Sequence, residues 1–455
     1  MAHLLIIGGS DAGISAALRA REMDPTATVT MLVADAFPNY SICGLPFYLS
    51  GEVTDWHQLA HRTLGDIEAA GIRVRLKTRA LAIHPASHTV EVQTDGQTPE
   101  TVSYDKLVIG TGAAPIRPPI PGVEQPGVFL LHSMEDSFRV AAYLDTHQPQ
   151  RALIIGAGYI GLEMADALRH RGLAVTVAEQ APAVLPTVDP SFGMRLETHL
   201  TDHGIAVRTG VRVERILRAG DSLRVAGSPT FSEDTDLVLV VVGVKPVADL
   251  AHEAGLTLGI KGAIPVDRTM ATALPDIYAA GDCVETYHRL LGAPTYLPLG
   301  TTAHKQGRVA GDNAAGGDAH FAGSLGTQVV KVFDWAIART GFRDQEARAA
   351  GYQPETVEFT AWDHKAYYPG AHELTFRLTG DRATGRLLGA QMMGHWQAAV
   401  AKRIDFFAMA LYHQMTVAQC LEVDLSYTPP LGSPWDAVQM AAEHWLRVVR
   451  PGRSG

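Results

Sequence analysis

Cysteine is scarce: three of 455 residues, Cys43, Cys283 and Cys420. The number is odd and the separations fit no Cys-x-x-Cys framework, which excludes a disulfide-stapled scaffold and a zinc ribbon. No unbroken apolar run approaches the ~18 residues of a membrane helix. Positive charge is also in short supply, with 38 Lys and Arg against 48 Asp and Glu for a formal net charge of −10. Without a basic block, an electrostatic grip on nucleic acid is not expected. Neither is disorder, because 46% of the residues are hydrophobic and 19% charged. The apolar start, Leu4 to Ile7, lacks a basic leader and breaks at Gly8-Gly9, so it reads as a strand entering a turn rather than a signal peptide. The expected location is the cytoplasm, where thiols stay reduced and a chemically important cysteine tends to be catalytic.

What is present is a pair of similar openings. Leu4-Leu5-Ile6-Ile7 runs into Gly8-Gly9-Ser10-Asp11-Ala12-Gly13, and Ala152-Leu153-Ile154-Ile155 into Gly156-Ala157-Gly158-Tyr159-Ile160-Gly161. Each is a continuous apolar run, a glycine turn and a small-residue helix, followed by a second run at Thr28–Val33 or Ala174–Ala178. This is the βαβ pattern of a dinucleotide-binding unit, with parallel strands covered on both faces. The second loop has the full spacing, so its helix N-terminus can face a pyrophosphate. Glu179, 18 residues beyond Gly161, can bind the ribose 2′-hydroxyl of NAD and would repel a 2′-phosphate. Arg169 and Arg171 nearby keep dual NADH and NADPH use open. In the first loop Ser10 replaces the middle glycine, and Asp35 is the nearest acid for the adenosine ribose.

Five prolines between Pro115 and Pro126 mark a crossing between units, and Gly243-Val244-Lys245-Pro246 a second. From about residue 325 apolar and polar residues alternate, as in Thr327–Phe333 and Glu373–Leu378. Helical patterns follow at Ala398–Tyr412 and Pro434–Val448. The expected fold is α/β: two Rossmann-like domains and a C-terminal α+β domain. The boundaries read as 1–115 and 246–324 for the two parts of the first nucleotide domain, 116–245 for the second, and 325–455 for the third. No further domain is expected beyond it.

Distant segments complete the pattern. Leu107 to Ile109 ends in Gly110-Thr111-Gly112, and Ile277 to Ala280 in Gly281-Asp282. With the two glycine loops, they resemble the Thr-Gly and Gly-Asp motifs of the FAD- and NAD(P)H-dependent pyridine nucleotide–disulfide oxidoreductases. The resemblance implies FAD in the first unit, contacted by Asp282, and NADH or NADPH in the second. Hydride then passes to the flavin and electrons pass to sulfur.

Asn39-Tyr40-Ser41-Ile42-Cys43-Gly44-Leu45-Pro46 carries one cysteine where two-cysteine members carry a Cys-x4-Cys pair. It resembles the single-cysteine branch: coenzyme A disulfide reductases, coenzyme A persulfide or polysulfide reductases, and NADH oxidases and peroxidases. Cys43 is expected at a helix N-terminus whose dipole lowers the thiol pKa. It would form a mixed disulfide with a small thiol, or a sulfenic acid. Coenzyme A as substrate, or bound as a mixed disulfide on Cys43, fits this branch. By the same resemblance Tyr159 covers the nicotinamide and Glu163 lies near the flavin, without the usual lysine, since residues 44–55 hold no Lys or Arg. Pro298 to Arg308 resembles the segment that packs a helix N-terminus against the flavin.

Ala366-Tyr367-Tyr368-Pro369 and Leu425-Ser426-Tyr427-Thr428 resemble segments of the homodimer interface. There Tyr427, and Tyr368 ahead of Tyr367, would reach the partner's cysteine and hydrogen-bond or protonate the departing thiolate. Asn39, Ser41, Arg19 and Arg21 are candidate substrate contacts, the arginines as phosphate clamps. His57 and His61 have a metal-ligand spacing but no third ligand, so no metal is expected. Cys283 and Cys420 read as structural. The leading function is reduction of a small disulfide, persulfide or polysulfide. The alternatives are an NAD(P)H oxidase or peroxidase, against which Asp11 stands where those enzymes commonly carry a histidine, and an electron-transfer reductase or redox sensor.

Overall fold

The computed structural model describes residues 3–449. His3–Ile7 lies at the centre of a parallel sheet in the order Ile277–Ala279, Lys106–Ile109, His3–Ile7, Thr28–Leu32, Ile72–Arg75. Its register runs His3 against Thr28 on one side and Leu4 against Lys106 on the other. Leu4, Leu5, Ile6 and Ile7 are all buried, as strands packed on both faces require. The helix Asp11–Met23 follows directly and packs against Gly300–Ala314. The two backbones approach so closely that a Cβ at Gly307 would stand 2.2 Å from the Ala12 carbonyl oxygen.

A second parallel sheet repeats the plan around Arg151–Ile155, in the order Ile205–Arg208, Ala174–Ala178, Arg151–Ile155, Leu237–Val240, Val128–Leu130. A short antiparallel pair, Ala113–Pro115 with Val244–Pro246, carries both crossings between the sheets. The third sheet is antiparallel, in the order Gln328–Val332, Trp335–Gly341, Leu387–His395, Glu373–Asp381, Pro354–Trp362. Helices Val400–Tyr412 and Ala437–Val449 cover one face, where Phe376, Phe407 and Trp445 are almost wholly buried. The α/β fold is therefore the one expected, with the parallel strands where continuous apolar runs occur; in the antiparallel sheet the central strand Leu387–His395 is also a nearly continuous buried run. Among the described residues no helix is long and apolar enough to cross a membrane.

Candidate active site

Cys43 lies in the 3-10 turn Ile42–Gly44, which leads into the helix Leu45–Ser50 with Pro46 in its first turn. Leu45 and Leu49 anchor that helix against Leu162, Ala165 and other core residues around the helix Tyr159–His170. This packing brings the cysteine turn to Glu163. Cys43 is exposed at its surface, whereas Cys283 and Cys420 are wholly buried. Burial pushes Cys420 up to about 12, so it is an inert core thiol.

The electrostatics of Cys43 differ from the sequence expectation. Partial desolvation, and then the carboxylates of Glu163, Asp11 and Asp282, push its thiol pKa up rather than down. The helix that was to lower it has only six residues, too few aligned peptides to outweigh three acidic groups. Glu163 itself is pushed to about 7 by burial and by Asp166. Asp282 is pushed to about 6 by burial and by Asp11. The structure thus gathers Cys43, Glu163, Asp282 and Asp11 from four distant segments. Sequence reasoning missed the groups around Glu163: with Pro46, Phe47, Glu52, Asp166, Ala167 and Lys331 it lines a cavity of about 10 Å³, the room of about one water. Lys331 Nζ is 3.9 Å from Asp166, so a cation from the third sheet stands near the place where the usual lysine is missing. His304, 3.4 Å from Asp11 and 2.8 Å from Ser15 Oγ, was likewise not foreseen as a neighbour of this cluster.

The nucleotide loops suit anionic cofactors. Ser10 and Gly158 precede their helices without a side-chain cap, which leaves backbone N–H groups for phosphate oxygens. At Gly158 nothing lies within 4 Å of where a Cβ would stand, while a Cβ at Gly161 would meet the Gly156 carbonyl oxygen at 2.0 Å. One position is open toward a ligand and the other closed by the loop. In the first loop Gly13 is closed in the same way by Gly8, and Gly9 by Val33; Ala12 is buried beside Gly281. Glu179 accepts from the N–H groups of Ala157 and Ala181, both at 2.7 Å, which fixes its carboxylate at the mouth of the second loop. Thr111 Oγ1 donates to the Val247 carbonyl at 2.5 Å. The Gly112 carbonyl accepts from Val247 N, and the Gly243 carbonyl from Ile116 N. These bonds join the cofactor strands to the crossing segments. Tyr159 donates to Gln328 at 2.5 Å, and Ile160 packs on the neighbouring core. Asp35 caps its own turn by accepting from Phe37 N.

Asn39 is 1% exposed with φ +58°, and neither its amide nitrogen nor its amide oxygen has a partner in the protein. A buried unpaired amide costs about 1–3 kcal/mol. Ser41 caps the cysteine turn, its carbonyl accepting from Gly44 N. Arg19 is directed to Asp312 and Glu22, and Arg21 to the carbonyls of Ala27 and Ala70. Partners up to 293 residues away engage several of their donors within the protein. Arg169, in the last turn of its helix, and Arg171, just beyond the helix end, are drawn to His203, Leu49 and Asp145. His57 pairs with Asp55 and stacks on Trp56. Tyr367, Tyr368 and Tyr427 are exposed together with Trp396, Leu431 and Trp435, and Tyr368 lies edge-on to His364.

Residues 2–307 match the model of the pyridine nucleotide-disulphide oxidoreductases, and residues 327–437 match the dimerisation domain of the same family. The chain belongs to this family. It is an oxidoreductase with FAD and NAD(P)H as cofactors, and it pairs as a homodimer, residues 327–437 matching the family's dimerisation domain. The NAD(P)H sulfur oxidoreductase (CoA-dependent) of Pyrococcus abyssi is 33% identical over 450 residues, covering 96% of this chain and 97% of that one. The coenzyme A disulfide reductase of Staphylococcus haemolyticus is 31% identical over 445 residues, with 97% and 98% covered. Among solved structures, an NAD-dependent persulfide reductase from A. fulgidus superposes with a TM-score of 0.94 at 37% identity, over 98% of this chain and 83% of that one.

Proposed function

We propose that the enzyme uses NAD(P)H to reduce a small disulfide, persulfide or polysulfide, with a coenzyme A-type thiol favoured, through Cys43 as its single redox-active cysteine. The observation that carries this reading is the contrast among the thiols: only Cys43 reaches the surface, beside acids from the flavin-binding segments, and no second cysteine stands near it. The second sulfur therefore comes from the substrate. The names of the relatives, which refer to sulfur, persulfide and coenzyme A disulfide, support the same substrate class.

Bound FAD supplies a two-electron relay between the nicotinamide and the sulfur. The residues around Gly8, Thr111 and Asp282 would hold that cofactor, and those around Gly158 and Gly243 would hold NAD(P)H. Glu179, anionic at the loop mouth, favours the unphosphorylated ribose of NADH. The Cys43 thiolate attacks one sulfur of the substrate; a new S–S bond to Cys43 forms as the old one breaks, and a thiolate leaves. Two electrons and one proton then restore the Cys43 thiolate and release the second thiol. Glu163, half-protonated near neutral pH, holds a proton next to this chemistry. Tyr427 and Tyr368 of the second subunit donate to the departing sulfur, and Asn39 and Ser41 contact the substrate's polar atoms. A reducing compartment, the cytoplasm, keeps the exposed thiol free between turnovers.

The test is anaerobic reduction by NADH followed by rapid mixing with coenzyme A disulfide, coenzyme A persulfide, polysulfide, oxygen and peroxide. Cys43→Ser is expected to retain FAD and to accept hydride, yet to lose turnover of the sulfur substrates. Undiminished sulfur turnover in the variant refutes the reading. Fast reoxidation by oxygen or peroxide alone replaces it with an oxidase or peroxidase.

A further inference from the structure

Away from the cysteine, the helix Pro190–Asp202 and the hairpin formed by Gln328–Val332 and Trp335–Gly341 bring two histidines and a carboxylate together. His199 lies in the last turn of the helix, and His203, four residues on and therefore on the same face, caps its end. Asp334 sits at the hairpin tip. Asp334 Oδ1 is 3.0 Å from His199 Nε2 and 3.6 Å from His203 Nε2. One ligand atom from each of the three residues lies within 4.8 Å of the others.

The second nitrogen of the His203 ring is already assigned: Nδ1 donates to the His199 carbonyl at 2.8 Å. A carbonyl that fixes the far nitrogen of an imidazole sets the tautomer and leaves Nε2 as a lone pair. The rings are also held in place, His199 flat on Trp335 with centroids 4.2 Å apart and His203 flat on Phe333 at 4.2 Å. His199 is only 7% exposed, and its Nε2 has no hydrogen-bond partner, because the close approach of Asp334 is misaligned for one. The alternative of a simple His–Asp hydrogen bond therefore leaves a buried nitrogen unsatisfied. An ion accepting all three lone pairs satisfies it. Ligands 2.0–2.1 Å from a tetrahedral centre stand about 3.3 Å apart, and the two observed separations from Asp334 bracket that value.

We propose that His199, His203 and Asp334 form a binding site for one divalent transition metal of the zinc class. Two imidazoles and a carboxylate suit zinc rather than calcium or magnesium. His203 and Asp334 are partly open to solvent, so water completes the coordination. The ion would bridge the second nucleotide-binding unit to the third sheet, far in sequence from both the cysteine turn and the glycine loops. His199 and His203 have the same four-residue spacing as His57 and His61; only folding supplies the third ligand, Asp334, 131 residues after His203 (334 − 203).

The experiment uses the untagged, FAD-loaded dimer, stripped with a chelator and titrated calorimetrically with Zn2+, with Co2+ absorption as a probe of geometry. The expected result is one Zn2+ per chain, weakened by at least about tenfold in His203→Gln and in Asp334→Asn, with the tetrahedral Co2+ bands lost in both. Both positions are partly exposed, so these variants are expected to keep FAD and the far-ultraviolet dichroism of the parent. His57→Gln with His61→Gln is expected to leave the uptake unchanged. Failure of the parent to take up Zn2+, equal affinity in Asp334→Asn, or loss of uptake only in the His57/His61 variant overturns the proposal.

Discussion

Replacing Glu163 with glutamine tests the electrostatics of the site directly. The carboxyl is raised from an ordinary 4.5 to about 7, first by burial and then by Asp166. Glu52, Asp166 and Lys331 are the charged groups facing the same small cavity. A raised carboxyl pKa means that the folded protein binds a proton that the unfolded chain has already released, so stability falls as pH rises from about 4.5 through 7. At 1.36 kcal/mol per pH unit, the penalty of ionising Glu163 in place reaches about 3 kcal/mol above pH 7. Glutamine keeps the shape of the protonated acid and never ionises. The unfolding free energy of Glu163→Gln relative to the parent, from urea midpoints by tryptophan fluorescence, is expected to be near zero at pH 4.5. It should rise by about 1.4 kcal/mol per unit through pH 6 to 7 and level off at about 3 kcal/mol. Infrared difference spectra of the two proteins should show a protonated carboxyl that disappears near pH 7. A difference that stays flat between pH 5 and 8 refutes the assignment.

The two glycines of the second loop should separate fold from function. Gly158→Ala enters open space at an ordinary φ of −79°, so stability should be unchanged or up by about 0.4–1 kcal/mol. Its KM for NADH should rise about tenfold, the equivalent of one lost phosphate contact. Gly161→Ala meets a backbone oxygen at 2.0 Å and should lose about 1–3 kcal/mol of stability. Equal behaviour of the two in thermal unfolding and NADH kinetics would count against the loop geometry. Glu346→Ala strips the carboxylate from Arg339, whose side chain is 11% exposed and whose guanidinium also holds the Thr187 carbonyl. The expected cost is about 3–5 kcal/mol by urea unfolding, and a loss under 1 kcal/mol would show that the carbonyls alone suffice.

What the sequence made legible was whatever local order encodes. Leu4 to Ile7 and Ala152 to Ile155 are parallel central strands because a strand buried on both faces has no polar residues to spare, and the glycine loops follow from the turn each strand must make. The alternation of Thr327–Phe333 and Glu373–Leu378 marked the antiparallel sheet for the same kind of reason. Partnerships across the chain were hidden. Arg19 looked free to clamp a phosphate until Asp312 arrived from another helix. Lys331 could not be placed near Asp166, nor Asp334 near His199, because no periodicity records which face of a distant hairpin turns toward which helix.

The cysteine shows how far such hidden partners reach into chemistry. Read locally, Cys43 before a helix is a thiol primed to ionise. In the fold, Glu163, Asp11 and Asp282 converge on it, and a thiolate there is a further negative charge among carboxylates. Glu163 and Asp282, at about 7 and about 6, are themselves poised to give up their charge near neutral pH. Negative charge on these carboxylates disfavours the Cys43 thiolate, so the ionisation of the thiol depends on the state of its acidic neighbours. In the proposed reduction, a neighbouring acid would take up a proton when Cys43 expels a thiol and carries negative charge, and would release it toward the departing thiolate when the sulfur is bonded to substrate and neutral. The acids that raise the thiol pKa would then act as a proton store for that reaction.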